Sequence, residues 1–268
     1  MKRVVLTCVC LLLIGAGCSG TLASKRAGAP AAHVPITNIS PLVTTVNWQQ
    51  TGTGWKPSGT VPDCPIPFQL ASPADISSAT SVMYPGQSRG GEYKPHGGFR
   101  FDTISDNTAV VLSPIDGQVV RGARYLVNGE VQYTFDIIHP CGIMVRLGHL
   151  RELTSKFQPI ADAFPPAHEG DSRTTTVDPR VSVTTGETIA TMIGTTADHN
   201  TFFDLGVYDL RQKNSAADDP DYAASHDEEL AQHGLCWLTM LPQADDNKII
   251  TLPAGDPTSG KTSDYCKE

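Results

Sequence analysis

The run TAVVLSPIDGQVVRGARYLVNGEVQYTFDIIHPCGIMVRLGHL, residues 108–150, decides the fold. Short stretches rich in Val, Ile, Tyr and Phe are cut by Asp116-Gly117 and Asn128-Gly129. β-branched and aromatic side chains suit a pleated, half-buried surface, and Asn-Gly or Asp-Gly supplies the positive φ that tight hairpin turns need. The same grammar continues downstream in VSVTTGETIATMIG (181–194) and FFDLGVYDL (202–210). Residues 61–210 therefore read as an all-β domain of short strands.

The flanks read differently. The first eighteen residues, MKRVVLTCVCLLLIGAGC, place two basic residues before an apolar run too short to span a bilayer, which is the layout of a secretory signal. The GAGC ending resembles a bacterial lipoprotein signal, with Gly15 where that pattern usually has Leu. It implies that Cys18 becomes the lipidated first residue of an exported, membrane-anchored protein, and simple cleavage is the alternative. Residues 19–60, rich in Ser, Thr, Gly, Ala and Pro, suit a flexible linker. Residues 211–268 form a C-terminal extension, with a short surface helix expected from Asp221 to Gly234.

The chain has 268 residues and a net charge of −8. That length suffices for at least one stable core. The acidic balance comes without a basic stripe and excludes nucleic acid as a dominant partner. Outside the signal and Cys18, four cysteines remain: Cys64, Cys141, Cys236 and Cys266. Export makes them disulfide candidates, in any of three pairings. GDPTSGKT (255–262) satisfies the phosphate-loop pattern by letter. That loop needs a preceding strand and a following helix in an α/β sheet, and here only six residues follow. No nucleotide partner is expected, and the stretch reads as a polar turn leading to Cys266.

Three spaced segments carry a resemblance. YKPHGGFRFD (93–102) holds His96 and Asp102, with Asp102 fifteen residues before Gly117. HPCGIMVRLGHL (139–150) sets His139 and His149 ten apart, with Gly142 three after the first and Leu150 after the second. FFDLGV (202–207) follows a Gly-rich turn. In this order the segments resemble lysostaphin-type, LytM-like peptidoglycan endopeptidases, a family of zinc hydrolases. The resemblance covers about 115 residues. It implies a mostly antiparallel β sandwich with a groove and a small helical appendage.

By the resemblance, Asp102 matches the ligand aspartate. The family's histidine falls on Gly98, and His96 is brought to the same face if the strand bulges at Gly97-Gly98. His149 takes the position that assists hydrolysis, and His139 is scaffold. The family's His-x-His is not retained: Asp204 stands at its ligand position and Phe202 at its catalytic one, with Phe203, Leu205 and Val207 facing the core. The implied metal set is His96, Asp102 and Asp204. Such a set accepts zinc but, being richer in carboxylate, leaves manganese or calcium as contenders, or no metal. Arg100 shares a strand face with His96 and Asp102, and its guanidinium could bridge the two aspartates in place of a cation. His199, on a loop, and Tyr208, past the site strand, are further cleft candidates.

Three functions follow from these readings. One is a metalloendopeptidase of peptidoglycan cross-bridges. Another is a non-catalytic lipoprotein that binds wall peptide or regulates a wall hydrolase. The third is a structural lipoprotein that has lost the site.

Overall fold

The computed structural model describes residues 46–52, 54–226 and 230–266, which lie within one compact unit, Val43–Glu268. The expected signal segment, Cys18 and most of the expected linker lie outside the described residues. The linker's last part does not: β1 (Asn47–Thr51) and β2 (Gly54–Ser58) pair as an antiparallel hairpin. Trp48 and Trp55 account for the difference. Both indoles are buried, so this polar stretch gains enough apolar burial to order.

The short strands β3 (Ser81–Met83), β4 (Gln87–Arg89), β5 (Glu92–Lys94), β6 (Gly97–Arg100) and β7 (Val111–Leu112) come next. The long ones follow: β8 (Gly117–Val127), β9 (Glu130–Ile138) and β10 (Ile143–Leu150). After helix α1 (Gln158–Asp162) come β11 (Thr175–Val183), β12 (Thr188–Ala190) and β13 (Phe202–Asp209). Helices α2 (Pro220–Ser225) and α3 (Gln243–Thr251) belong to the C-terminal extension. Seven strands form one antiparallel sheet in the order β11-β8-β9-β10-β13-β6-β3, and β4-β5 and β7-β12 pair separately. The chain is all-β with a small helical C-terminal part, as its sequence pattern implies.

Asn128-Gly129 is the two-residue hairpin loop between β8 and β9, with φ of 52° and 78°. Asp116-Gly117 is not a hairpin turn, because β7 pairs with β12 and Gly117 opens β8. The Asp116 carboxylate instead accepts from the backbone and hydroxyl of Thr185, tying two loops together. The helix expected from Asp221 to Gly234 ends at Ser225, where the N–H of His226 bonds back to Tyr222. A separate 3-10 turn, Ala231–His233, follows.

The two faces of the large sheet have different fates. Phe99, Phe135, Ile137, Val145, Leu147, Phe203, Leu205 and Val207, all fully buried, point into the main core. The opposite face carries Ile138, Met144 and Tyr208 at one end, covered by the β1-β2 hairpin through Trp48 and Trp55. Toward its other end that face turns polar. Asp136 is wholly buried there between Arg121 and Arg146, and Arg121 also lies over the Trp55 ring at 4.6 Å.

Two disulfides settle the open pairing: Cys64 with Cys141, and Cys236 with Cys266. The first ties the segment before β3 to the turn between β9 and β10. The second closes the C-terminal extension, whose residues 256–261 form turns, as the polar composition of GDPTSGKT suggests.

Candidate functional site

Alternation along β13 puts Phe203, Leu205 and Val207 in the core, so Phe202 and Asp204 emerge on the polar face. Asp204 sits opposite Gly148 of β10 on one side and Gly98 of β6 on the other. Its cross-strand neighbours thus have no side chains. A Cβ on Gly148 would stand 3.3 Å from the Asp204 Cβ, and one on Gly98 would stand 2.2 Å from the Phe203 carbonyl oxygen. The gap left by these glycines is filled by histidines from the same strands' ends. His96 Nε2 and His149 Nε2 each lie 3.2 Å from the same oxygen, Oδ2 of Asp204.

His149 reaches the carboxylate because the ladder slips between Leu147 and Leu150, and its own φ is +58°. A left-handed backbone is strained for histidine and persists only where surrounding contacts hold it. Two do so: the His149 N–H donates to the Tyr125 hydroxyl at 3.0 Å, and its Nδ1 lies 2.5 Å from Gln132 Oε1. Gln132 is fully buried and its Nε2 donates to the Gly194 carbonyl at 2.8 Å, so the amide oxygen must face the ring. Nδ1 therefore carries a proton, so the neutral ring turns its Nε2 lone pair toward Asp204 and only the imidazolium donates to it. Two acceptors at that separation repel unless a proton or metal ion lies between them.

Burial alone would raise Asp204, but the charge and hydrogen bonds of His96 and His149 in their protonated, donating form outweigh burial and hold the carboxyl well below its ordinary value. Burial also lowers His96, and the attraction of Asp204 only partly offsets it. The Phe202 ring lies tilted against His149, 4.2 Å between centroids, and closes one wall. The resulting cleft holds about 320 Å³, within the range of small-ligand sites. Arg89, Lys94 and Arg146 lie in its lining with the three site residues.

Several expected site residues stand elsewhere. Asp102 accepts from Arg100 at 2.7 Å and from Thr80 at 2.9 Å, and it is absent from the cleft lining. The strand does not bulge at Gly97-Gly98: the register with β13 runs unbroken from Gly97 to Arg100, which keeps Asp102 past the strand's end. Arg100 bonds Asp102 alone and does not bridge to Asp204. His199 is exposed on its loop. Tyr208 is fully buried beneath the cleft, over Gly206, rather than at its mouth. His139 is held by the backbone N–H of Cys141 and the edge of Phe68, away from the cleft. Sequence reading missed Gln132, Tyr125 and Arg89. Gln132 lies on the polar face of β9, a position an alternation count could have flagged.

Among the described residues, no group of three or more His, Cys, Asp or Glu side chains is arranged to hold a metal ion. The two imidazoles and Asp204 instead meet in direct contact through one oxygen. No protein-family model, no curated protein and no solved structure matches the chain.

Proposed function

We propose that this chain is an exported cell-envelope domain that engages peptide of the bacterial cell wall in the cleft built on His96, Asp204 and His149. The observation that carries the reading is the convergence of two imidazole Nε2 atoms on one carboxylate oxygen at the cleft floor. The order of the three LytM-like segments supports the substrate class. The two disulfides fit an oxidising compartment.

The donor chemistry fits a divalent ion of zinc type. Ligands about 2.0–2.1 Å from a tetrahedral zinc lie about 3.3 Å apart, and the two imidazole-to-carboxylate separations are 3.2 Å, although the three side chains as they stand form no ready metal cage. Gln132 keeps the His149 Nε2 lone pair available. His96, His149 and Asp204 would hold the metal, with Asp102 left out. Such an ion activates water and polarises a peptide carbonyl. The protein's own contribution is to fix both rings, shield them with Phe202 and exclude competing water.

A non-catalytic binding role is the second reading, and Phe202 favours it. An aromatic ring against His149 stands where the resemblance puts a catalytic histidine, and losing a general acid-base group typically costs about a hundredfold or more in rate.

Elemental analysis of the purified protein, paired with mass spectrometry of wall peptide incubated with it, tests both readings. The hydrolase reading expects one equivalent of metal and cleaved peptide, with metal lost in Asp204→Ala and His149→Ala but kept in Asp102→Ala. Bound but uncleaved peptide that persists in chelator selects the binding role. Peptide that neither binds nor is cut removes the wall reading altogether.

A further inference from the structure

The cations lining the cleft differ in how they are compensated. Arg146 bonds the Asp136 carboxylate through Nε and Nη2, and Lys94 lies 2.5 Å from Glu92. Arg89 makes three hydrogen bonds, all to uncharged oxygens: the carbonyls of Tyr84 and His96 and Oε1 of Gln87. No carboxylate forms a contact ion pair with it among the described residues, though Asp204 and Asp256 attract its charge from farther off. A guanidinium has five N–H donors, so Nε and one Nη2 hydrogen remain. Arg89 is thus a partly desolvated cation with unspent donors, on the wall of a cleft, in a protein of net charge −8. Cations of this kind are held where planar anions are recognised.

The C-terminal extension fixes this group in place. Gln87, which meets Arg89 through Oε1, donates its Nε2 to the Thr262 carbonyl at 2.8 Å. The Ser259 hydroxyl donates to the Ser88 carbonyl, the Ser263 hydroxyl to the Pro85 carbonyl, and the Asp264 N–H to the Gly86 carbonyl at 2.8 Å. The Cys236–Cys266 bridge anchors that strap. A two-stranded ribbon alone is marginal in water, so β4-β5 owes its position to these bonds. A rigid mount lowers the ordering cost when a ligand arrives.

We propose that the β4-β5 rim of the cleft is a carboxylate subsite, in which the free donors of Arg89, with Lys94 beside it, receive a free carboxylate of the bound peptide. This rests on the reading of the cleft as a wall-peptide site and narrows it to acidic peptides. Lys94 adds charge by turning from the exposed Glu92.

The test titrates the full chain with four probes: acetate, inorganic phosphate, a wall stem peptide with its carboxylates free, and the same peptide fully amidated. The Arg89 Nε–H resonance is followed by NMR and peptide affinity by calorimetry. The free peptide is expected to bind about tenfold or more tighter than the amide, the scale of one charge-assisted hydrogen bond. That ratio should collapse to within about twofold in Arg89→Met and shrink in Lys94→Met, a surface change that spares the fold should Arg89→Met not express. Acetate alone should shift the Arg89 resonance. A shift with acetate but no binding of either peptide would uphold the subsite and end the wall-peptide reading. Equal binding of both peptides, or a response to phosphate without acetate, overturns the subsite and leaves that reading standing.

Discussion

His149 donates through Nδ1 to Oε1 of Gln132 across 2.5 Å, and the second arm of the same amide is spent on the Gly194 carbonyl. One buried side chain thus selects which ring nitrogen of His149 faces Asp204. Replacing Gln132 by Met should leave the Gly194 carbonyl and His149 Nδ1 without partners, at a cost of about 1–3 kcal/mol in unfolding free energy. Nitrogen-15 spectra should show His149 protonated at Nδ1 in the parent and a mixture of tautomers in the variant. An unchanged tautomer in Gln132→Met would remove the orienting role.

Asp136 holds two guanidiniums on a wholly buried carboxylate, and they keep it ionised below its ordinary value although burial opposes them. Asp136→Asn leaves Arg121 and Arg146 facing a neutral amide. Removing one partner of a buried pair costs about 3–5 kcal/mol, and denaturant unfolding should show a loss of that size. A loss under about 1 kcal/mol would mean that the guanidiniums find other partners.

Stability should fall in two stages on acidification. Burial sets the folded His96 and His139 below the usual 6.5, so as pH drops through 6.5 the unfolded chain takes up protons first and stability declines. Asp204 and Asp136 are likewise depressed in the fold, so their contribution is complete above 3.8 and is lost as pH falls below it. The slope is about 1.4 kcal/mol per pH unit for each proton of difference. His96→Gln should flatten the first stage, measured as unfolding free energy between pH 7 and 5, and an unchanged slope would contradict the assignment.

Gly98 admits no side chain. Its φ is +153°, and an added Cβ would fall 2.2 Å from the Phe203 carbonyl oxygen. Gly98→Ala should destabilise by about 3 kcal/mol or more, since backbone must move. Gly148→Ala meets Asp204 only at 3.3 Å. It should be tolerated in the fold while displacing the carboxylate, so the thermal midpoint of Gly148→Ala should stay well above that of Gly98→Ala.

Reduction of Cys236–Cys266, which closes a separation of 30 residues, should cost about 3–4 kcal/mol by chain entropy. Hydrogen exchange should quicken first at Gly86–Lys94, where the strap is bonded, and hardly change in β8 and β9. Uniform quickening across the sheet would show that the strap holds the whole fold rather than the rim.

The strands were legible because their alternation is strong: FFDLGV divides into buried Phe203, Leu205 and Val207 and site-facing Phe202 and Asp204, as its period-2 pattern implies. Asn128-Gly129 was equally readable, since Asn-Gly tolerates the positive φ at both positions that the favoured two-residue hairpin turn needs. The site was half legible. Asp204 and the histidines could be singled out, but Asp102 drew attention by its spacing from Gly117, and spacing does not reveal that Arg100 and Thr80 are nearer partners. Gln132 and Arg89 stayed hidden because a buried glutamine or a rim arginine has no local signature: Gln132 meets a carbonyl 62 residues away, and Arg89 is mounted through Gln87 and Ser88, which are bonded by a strap 171–175 residues away. The β1-β2 hairpin was masked by polar composition, its order resting on two indoles.

The Cys64–Cys141 bridge sets the route by which force enters the molecule. Tension applied between the β1-β2 hairpin and β3 passes through that covalent link into the turn before β10, whereas His149 stands at the far end of the same strand, about 20 Å away at strand rise. A load that reaches Cys64 is therefore handed to the blind end of β10, at the opposite end of that strand from the cleft.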